Sequence, residues 1–430
     1  MKDGGRLAAA IEVLTEVNDR HRPVQLALRD WGAAHRFAGS GDRTVIGNLV
    51  FDALRNKASL ASVMGTDAAR SLVLATYVRS WGKGVPSLVE ALANDRHAPD
   101  SLSEDETHLL SGDAPVEMPA AAQADVPEWL WPRFEAVFGP HAVEEGRALS
   151  TRAPVDLRAN SLKADREKVL KRLAHTGADA CGLSPVGIRI EAKPGIGRMP
   201  HVQAEEGYRK GWFELQDEAS QLAAHLAQAR PGQQVLDYCA GGGGKTLALA
   251  ASMENKGQLY AYDADRLRLA PIHERLQRAG VRNIQVRDPA SSSLNDLERQ
   301  MDLVFIDAPC TGTGVWRRRP DSKWRLSEKA LGDRLEDQRH VLEHGSRYVK
   351  PGGRLVYVTC SVLREENQDQ VEWFLGSRQD FVSLPAADIW RETLPNIRQP
   401  QYVSERGEIL MTPASTATDG FFVAIFQRTS

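Results

Sequence analysis

Three of the four cysteines, Cys239, Cys310 and Cys360, close short apolar runs that read as buried strands (VLDYC, LVFIDAPC and GRLVYVTC). Four aspartates, Asp237, Asp263, Asp288 and Asp307, stand at comparable places. A single strand-end aspartate is commonly a turn former or a helix cap. Four on successive strands gather polar groups where ligands bind in open α/β sheets. Zinc is a poor explanation for the thiols, because no two have short metal-ligand spacing and no histidine lies close to them in sequence; no metal site is expected. Two thiols on adjacent strand ends beside a cofactor pocket suit covalent chemistry at an aromatic carbon. One thiolate adds to the ring and the other helps the elimination that frees it. Cys181 has no partner motif and reads as a small buried apolar residue.

The pocket itself is announced by VLDYCAGGGGKT, Val235 to Thr246. A strand ends near Asp237, a turn runs through Cys239, Ala240, Gly241, Gly242, Gly243 and Gly244, and a helix opens near Lys245. Glycines in such a turn let a ligand approach the backbone and the helix N-terminus. A dinucleotide, a nucleotide phosphate and an adenosyl cofactor all fit this pattern. The phosphate-binding alternative is weakened because its motif needs glycine five residues before Gly244, where Cys239 stands. LVFID, which resembles a magnesium-binding strand, keeps it alive. Asp263, about 20 residues past the turn, is placed to accept ribose hydroxyls, and Asp288 to accept from an adenine amine.

Apolar strands alternating with helices from Val235 onward imply a parallel sheet covered on both faces. GEILMTP and GFFVAIFQR, with no helix between them, are expected to add antiparallel at its edge. Upstream, VDLRANSLK, a helical stretch and GIRIE form a small α/β subdomain of the kind that lays RNA on a sheet. Leu7, Ile11, Leu14 and Val17 open a run of helices reaching Trp81, with SLVLATYVRSW apolar nearly all round and therefore central. Ser111 to Val126, rich in Ala and Pro, reads as a linker. These features divide the chain into an all-α domain (1–125), a small α/β RNA-binding subdomain (126–210) and a catalytic domain (211–430).

The chain of 430 residues is 42% hydrophobic and 26% charged, an ordinary globular balance, with a net charge of −3. Any nucleic-acid contact must then come from a local basic surface. WRRRPDSKWR, Trp316 to Arg325, offers one, with Arg317, Arg318, Arg319, Lys323 and Arg325 to meet phosphates and two tryptophans to stack a base. Acids within the first apolar stretch argue against a signal peptide, and no apolar run approaches a membrane span. Few cysteines fit a reducing cytoplasm, and a monomer is expected.

Taken together, VLDYCAGGGGKT, AYDADRLRL, VFIDAPCTGTG, VTCSVLREEN and TDGFF, with VDLRANSLK and QDEAS upstream, resemble the Sun/RsmB-type RNA cytosine-C5 methyltransferases. The resemblance covers roughly Val155 to the end. The helical start is similar, more weakly, to the NusB-like domain of the RsmB branch.

The resemblance implies a class I methyltransferase fold: Rossmann-like, α/β, with a mostly parallel seven-stranded sheet, behind the small α/β subdomain and the NusB-like domain. It implies S-adenosylmethionine as cofactor, held by Cys239 to Lys245 with Asp263, Asp288 and Asp307. It also implies that Cys360 attacks carbon 6 of a cytosine, that Cys310 assists removal of the carbon 5 proton and release, and that Asp307 bonds the cytosine edge or the cofactor. Ribosomal RNA, single-stranded or in a loop, is the implied substrate, and Arg158 joins the basic segment as an RNA contact. Gly241 and Gly242 depart from the family's usual Ala-Pro. Two other readings stand beside this one. A non-catalytic RNA-binding ribosome assembly factor is disfavoured by the intact Cys310 and Cys360. A DNA cytosine methyltransferase is disfavoured by the second cysteine.

Overall fold

The structure, a computed structural model, describes residues 1–112 and 117–429. Residues 113–116 of the expected linker lie outside the described residues; part of the remainder, Ala120–Gln123, is helical. The chain forms two compact units. One comprises Met1–Arg152, Ala192–Met199 and Trp316–Leu326, the other Ala153–Glu191, Pro200–Val315 and Ser327–Ser430. These do not follow the three expected divisions, because two later segments join the first unit. Among the described residues, no helix is long and apolar enough to cross a membrane.

The first unit is helical. Its opening helix, Asp3–Arg20, buries Leu7, Ala10, Val13, Leu14 and Val17, the face that the apolar spacing requires. It ends where His21 turns left-handed (φ 48°), just before Pro23. Leu72 to Ala75 are wholly buried, as expected for a central segment apolar on every side.

The segment Trp316–Leu326 completes this core. Trp316 stacks on Phe134 with ring centroids 5.5 Å apart, and Trp324 Nε1 donates to the Leu54 carbonyl at 2.6 Å. Lys323 is fully buried and donates to the Arg55 carbonyl (3.1 Å) and Ser150 Oγ (2.9 Å). Arg317 is buried too, and its carbonyl accepts from Arg55 Nη2 at 2.8 Å. Two of this segment's five expected RNA contacts, Lys323 and Arg317, are therefore inside the protein. The tryptophans that looked like stacking platforms instead draw the lysine stem into the core. Arg319 and Arg325 are exposed and Arg318 half-buried.

Burial brings the Lys323 ammonium down to about 8, against the pull of Asp125. Between that value and the unfolded lysine value of 10.5, the unfolded chain holds a proton that the folded chain has lost. Stability should then rise with pH across this window, by a total on the order of 3 kcal/mol. In Lys323→Met that rise should vanish. Urea unfolding followed by tryptophan fluorescence at pH 8, 9 and 10 measures it.

The second unit holds two sheets. The smaller contains β1 (Val155–Ala159), β2 (Ala178–Ala180), β3 (Gly187–Ile190) and β4 (Phe213–Leu215), in the antiparallel order β2-β3-β1-β4. β1 and β3 match the expected strands. β2 and β4 are three residues each, too short to carry an alternating signal.

The larger sheet contains β5 (Gln234–Asp237), β6 (Gln258–Ala261), β7 (Ile284–Val286), β8 (Met301–Asp307), β9 (Val349–Thr359), β10 (Phe381–Leu384), β11 (Tyr402–Val403), β12 (Ile409–Met411) and β13 (Phe421–Arg428). Its order is β11-β12-β13-β9-β8-β5-β6-β7, with β10 also on β13. The run from β9 to β7 is parallel, and β10 to β13 are antiparallel. The sheet thus has nine strands among the described residues rather than seven, since the short β10 and β11 extend the predicted antiparallel pair. Leu303 to Ile306 are wholly buried, as a strand covered on both faces must be. The order reverses beside β5: β6 and β7 lie to one side, β8 and β9 to the other. Such a reversal leaves a crevice at the carboxyl ends of β5 and β8.

Candidate active site

The glycine turn hangs between β5 and the helix Gly244–Ser252. Gly241 (φ 49°) and Gly243 (φ 85°) are left-handed, and a Cβ on Gly243 would come within 2.6 Å of Ile272 Cγ1. A side chain at either position would be strained. At Gly244 a Cβ would meet nothing within 4 Å, so the space over the helix start is open.

Charged groups pin this turn from behind. Arg158 is buried and donates to the Gly244 carbonyl at 3.0 Å and to Gln216 Oε1; burial brings its guanidinium down to about 10. Its expected RNA contact gives way to this internal role, because β1 directs it under the cradle rather than outward. Arg275 donates to the Gly242 carbonyl (2.6 Å) and to the buried Glu214 of β4 (3.1 Å). The small sheet therefore braces the turn, a function that no local pattern in β4 announces.

The four aspartates take different places. Asp237 is fully buried, accepts from Thr246 Oγ1 at 2.6 Å, and has an Oδ1 with no partner among the described residues. Burial raises it to about 7, opposed by the Thr246 hydrogen bond. Asp263 is buried and accepts from the backbone N–H groups of Gly241 (2.9 Å) and Asp265 (2.8 Å). It holds the turn closed directly. Asp288 is exposed and accepts from Ala290 N at 3.0 Å. Asp307, the last residue of β8, pairs with Lys245 Nζ at 3.0 Å. That ammonium also lies 5.0 Å from the centre of the Phe421 ring.

Beyond β8 and β9 the two chosen thiols meet. Cys310 Sγ and Cys360 Sγ are 3.3 Å apart, both half-buried. The hydrogen bond to Cys360, and then burial, push the Cys310 thiol well above its usual range. Cys310 keeps its proton and can donate it to the sulfur of Cys360. Cys239 is raised too, by burial first and then by Asp263 and Asp237.

The two thiol-bearing loops are tied together. Gly314 N donates to the Cys360 carbonyl (3.0 Å), and Thr313 Oγ1 meets Ser361 Oγ at 2.9 Å. Gly314 and Gly420 pack so closely that a Cβ on Gly314 would lie 2.2 Å from the Gly420 carbonyl oxygen. Glu366 and Gln338, both fully buried, also join the loops. Sequence reasoning passed over them: Glu366 lies inside the VLREEN stretch with no role attached, and Gln338 sits in a long polar helix, Glu328–Ser346, with no distinguishing signal.

Residues 224–427 match the family described as 16S rRNA methyltransferase RsmB/F, and residues 126–196 match its ferredoxin-like domain. The probable ribosomal RNA small subunit methyltransferase B of Synechocystis sp. is 32% identical over 312 residues, covering 71% of this chain and 67% of its own. The ribosomal RNA small subunit methyltransferase B of Sodalis glossinidius is 33% identical over 301 residues, covering 69% of this chain and 64% of its own. The aligned stretch spans about two thirds of the length of these curated relatives. Among solved structures, a methyltransferase homolog protein from Pyrococcus horikoshii is similar at 27% identity with a TM-score of 0.60, over 72% of this chain and 97% of that one.

Proposed function

The chain belongs to the RsmB/F family of 16S rRNA methyltransferases, and from that premise we propose that it methylates carbon 5 of a cytosine in small-subunit ribosomal RNA, with S-adenosylmethionine as donor. The single observation that carries the chemistry is the 3.3 Å approach of Cys310 and Cys360 at neighbouring strand ends.

The cradle fits an adenosyl cofactor. Gly244 leaves room over the helix start, Asp237 Oδ1 is a buried acceptor without a partner, and Asp263 fixes the turn. Cys239 to Lys245, with Asp263, Asp288 and Asp307, would hold it. When bound, it supplies an electrophilic methyl group on a sulfonium.

Cys360, as thiolate, adds to carbon 6 of the ring, forming a carbon–sulfur bond and making carbon 5 nucleophilic. Cys310 first holds a proton against the Cys360 sulfur; having passed that proton to solvent, it would take the proton from carbon 5 once that carbon carries the methyl group. Loss of that proton drives the carbon–sulfur bond to break and returns Cys360. Asp307, paired with Lys245, would bond the ring edge. A cytosine must leave its stack to present its face to a thiol, so a single-stranded or loop target is favoured. Arg318, Arg319 and Arg325 remain candidates for phosphate contact.

Bisulfite sequencing of ribosomal RNA, with and without the protein, tests the reading. One protected cytosine that appears only with the protein is the expected result. Unchanged protection with RNA binding retained would favour an assembly factor that does not catalyse.

A further inference from the structure

The Glu366 carboxylate is fully buried. It accepts hydrogen bonds from four donors. Oε1 takes Thr311 N at 2.8 Å and Gln338 Nε2 at 2.9 Å, and Oε2 takes the hydroxyls of Thr311 and Ser361. Thr311 follows Cys310 in the chain and Ser361 follows Cys360. Gln338 also donates to the Pro309 carbonyl at 3.0 Å, so Cys310 is bracketed on both sides. The Glu366 carbonyl accepts from Tyr357 on β9 at 2.7 Å, which anchors the acid to the strand that leads into Cys360.

Burial, the largest influence, raises the Glu366 carboxyl above its usual value, and the hydrogen bonds from Ser361, Thr311 and Gln338 oppose that rise.

We infer that Glu366 is a positioning residue: one buried carboxyl group that sets the separation of the two thiols by holding the residue after each. The catalytic meaning of that separation rests on the function proposed above. Glu366 does not touch the reacting atoms. Its effect passes through Thr311 and Ser361, and a displacement of about 1 Å in reacting groups can cost about 10²-fold in rate.

Glu366→Gln keeps the shape but turns one acceptor oxygen into a donor, which must face either Thr311 N and Gln338 Nε2 or the hydroxyls of Thr311 and Ser361, whose own protons then have to turn away. The test uses the full chain and dibromobimane, which fluoresces when its two arms alkylate neighbouring thiols, with the bridged pair identified by peptide mass. Bridging of Cys310 to Cys360 should slow at least about tenfold in Glu366→Gln, and turnover on RNA should fall about 10²-fold. Alkylation of Cys360 alone by iodoacetamide, and the dissociation constant for S-adenosylmethionine, should stay at wild-type values, a split that general destabilisation would not produce. Wild-type bridging in Glu366→Gln overturns the inference. If that variant fails to fold, Thr311→Val, which deletes one donor, should slow bridging by a smaller factor; an unchanged rate overturns the inference equally. A wild-type chain that methylates no RNA would sink the functional reading, while the bridging comparison would still judge Glu366.

Discussion

Cys360→Ala should abolish methyl transfer to RNA, with a loss of at least about 10⁴-fold, the scale seen when a nucleophile is removed from a site that acts as a unit. The thiol is half-buried and its sulfur meets the sulfur of Cys310. The loop around it is held by its neighbours, through Ser361 and the Thr359–Asn367 bond of 2.6 Å. Alanine keeps the backbone and these contacts, so the melting temperature and RNA affinity should stay near wild type. Transfer of a labelled methyl group from S-adenosylmethionine to RNA measures the loss. Substantial residual turnover would move the nucleophile to Cys310.

Cys310→Ala has a different expected outcome. The first bond can still form, because Cys360 needs only to lose its proton, and removing the hydrogen-bonded partner does not block its approach to carbon 6. What is lost is the base that lets the product leave. A covalent protein–RNA adduct should therefore accumulate to a stoichiometry near one, visible as a shifted band in a denaturing gel, while turnover falls by a factor on the order of 10²–10⁴. In Cys310→Ala with Cys360→Ala the band should disappear. If the adduct instead persists in Cys360→Ala and is absent from Cys310→Ala, the roles of the two thiols are exchanged.

The alternating core was legible from the chain because its strands are continuous apolar runs. VLDYC, LVFID and GRLVYVT admit few readings once the helices between them are seen. Cys310 and Cys360 could be paired in advance because each lies just beyond such a run, and neighbouring strand ends converge. The basic segment was misread for a physical reason. Arginine and lysine near tryptophan look alike whether the rings stack a base or bury an alkyl stem, and only Lys323 donating to Ser150 decides between them. Arg158 was misread likewise, since a strand shows which residues alternate but not which face lies under a turn 86 residues later. Glu366 escaped notice because a carboxylate in a run of acids reads as solvated until all four of its donors are found around it.

The Trp316–Leu326 segment has a consequence for how the molecule is made. The chain passes between its two units five times, and the last piece of the helical core is encoded after the Cys310 loop. During synthesis from the amino terminus, Phe134 waits for Trp316, and Ser150 and the Arg55 carbonyl wait for Lys323. Between about 170 and 270 residues separate the waiting partners from the arriving ones. The helical unit is thus no pre-formed module handed to the enzyme. Its final closure, delayed until Cys310 has already been made, binds the two units to one folding schedule, and a chain cut at the end of its first helical stretch would carry an unfinished core.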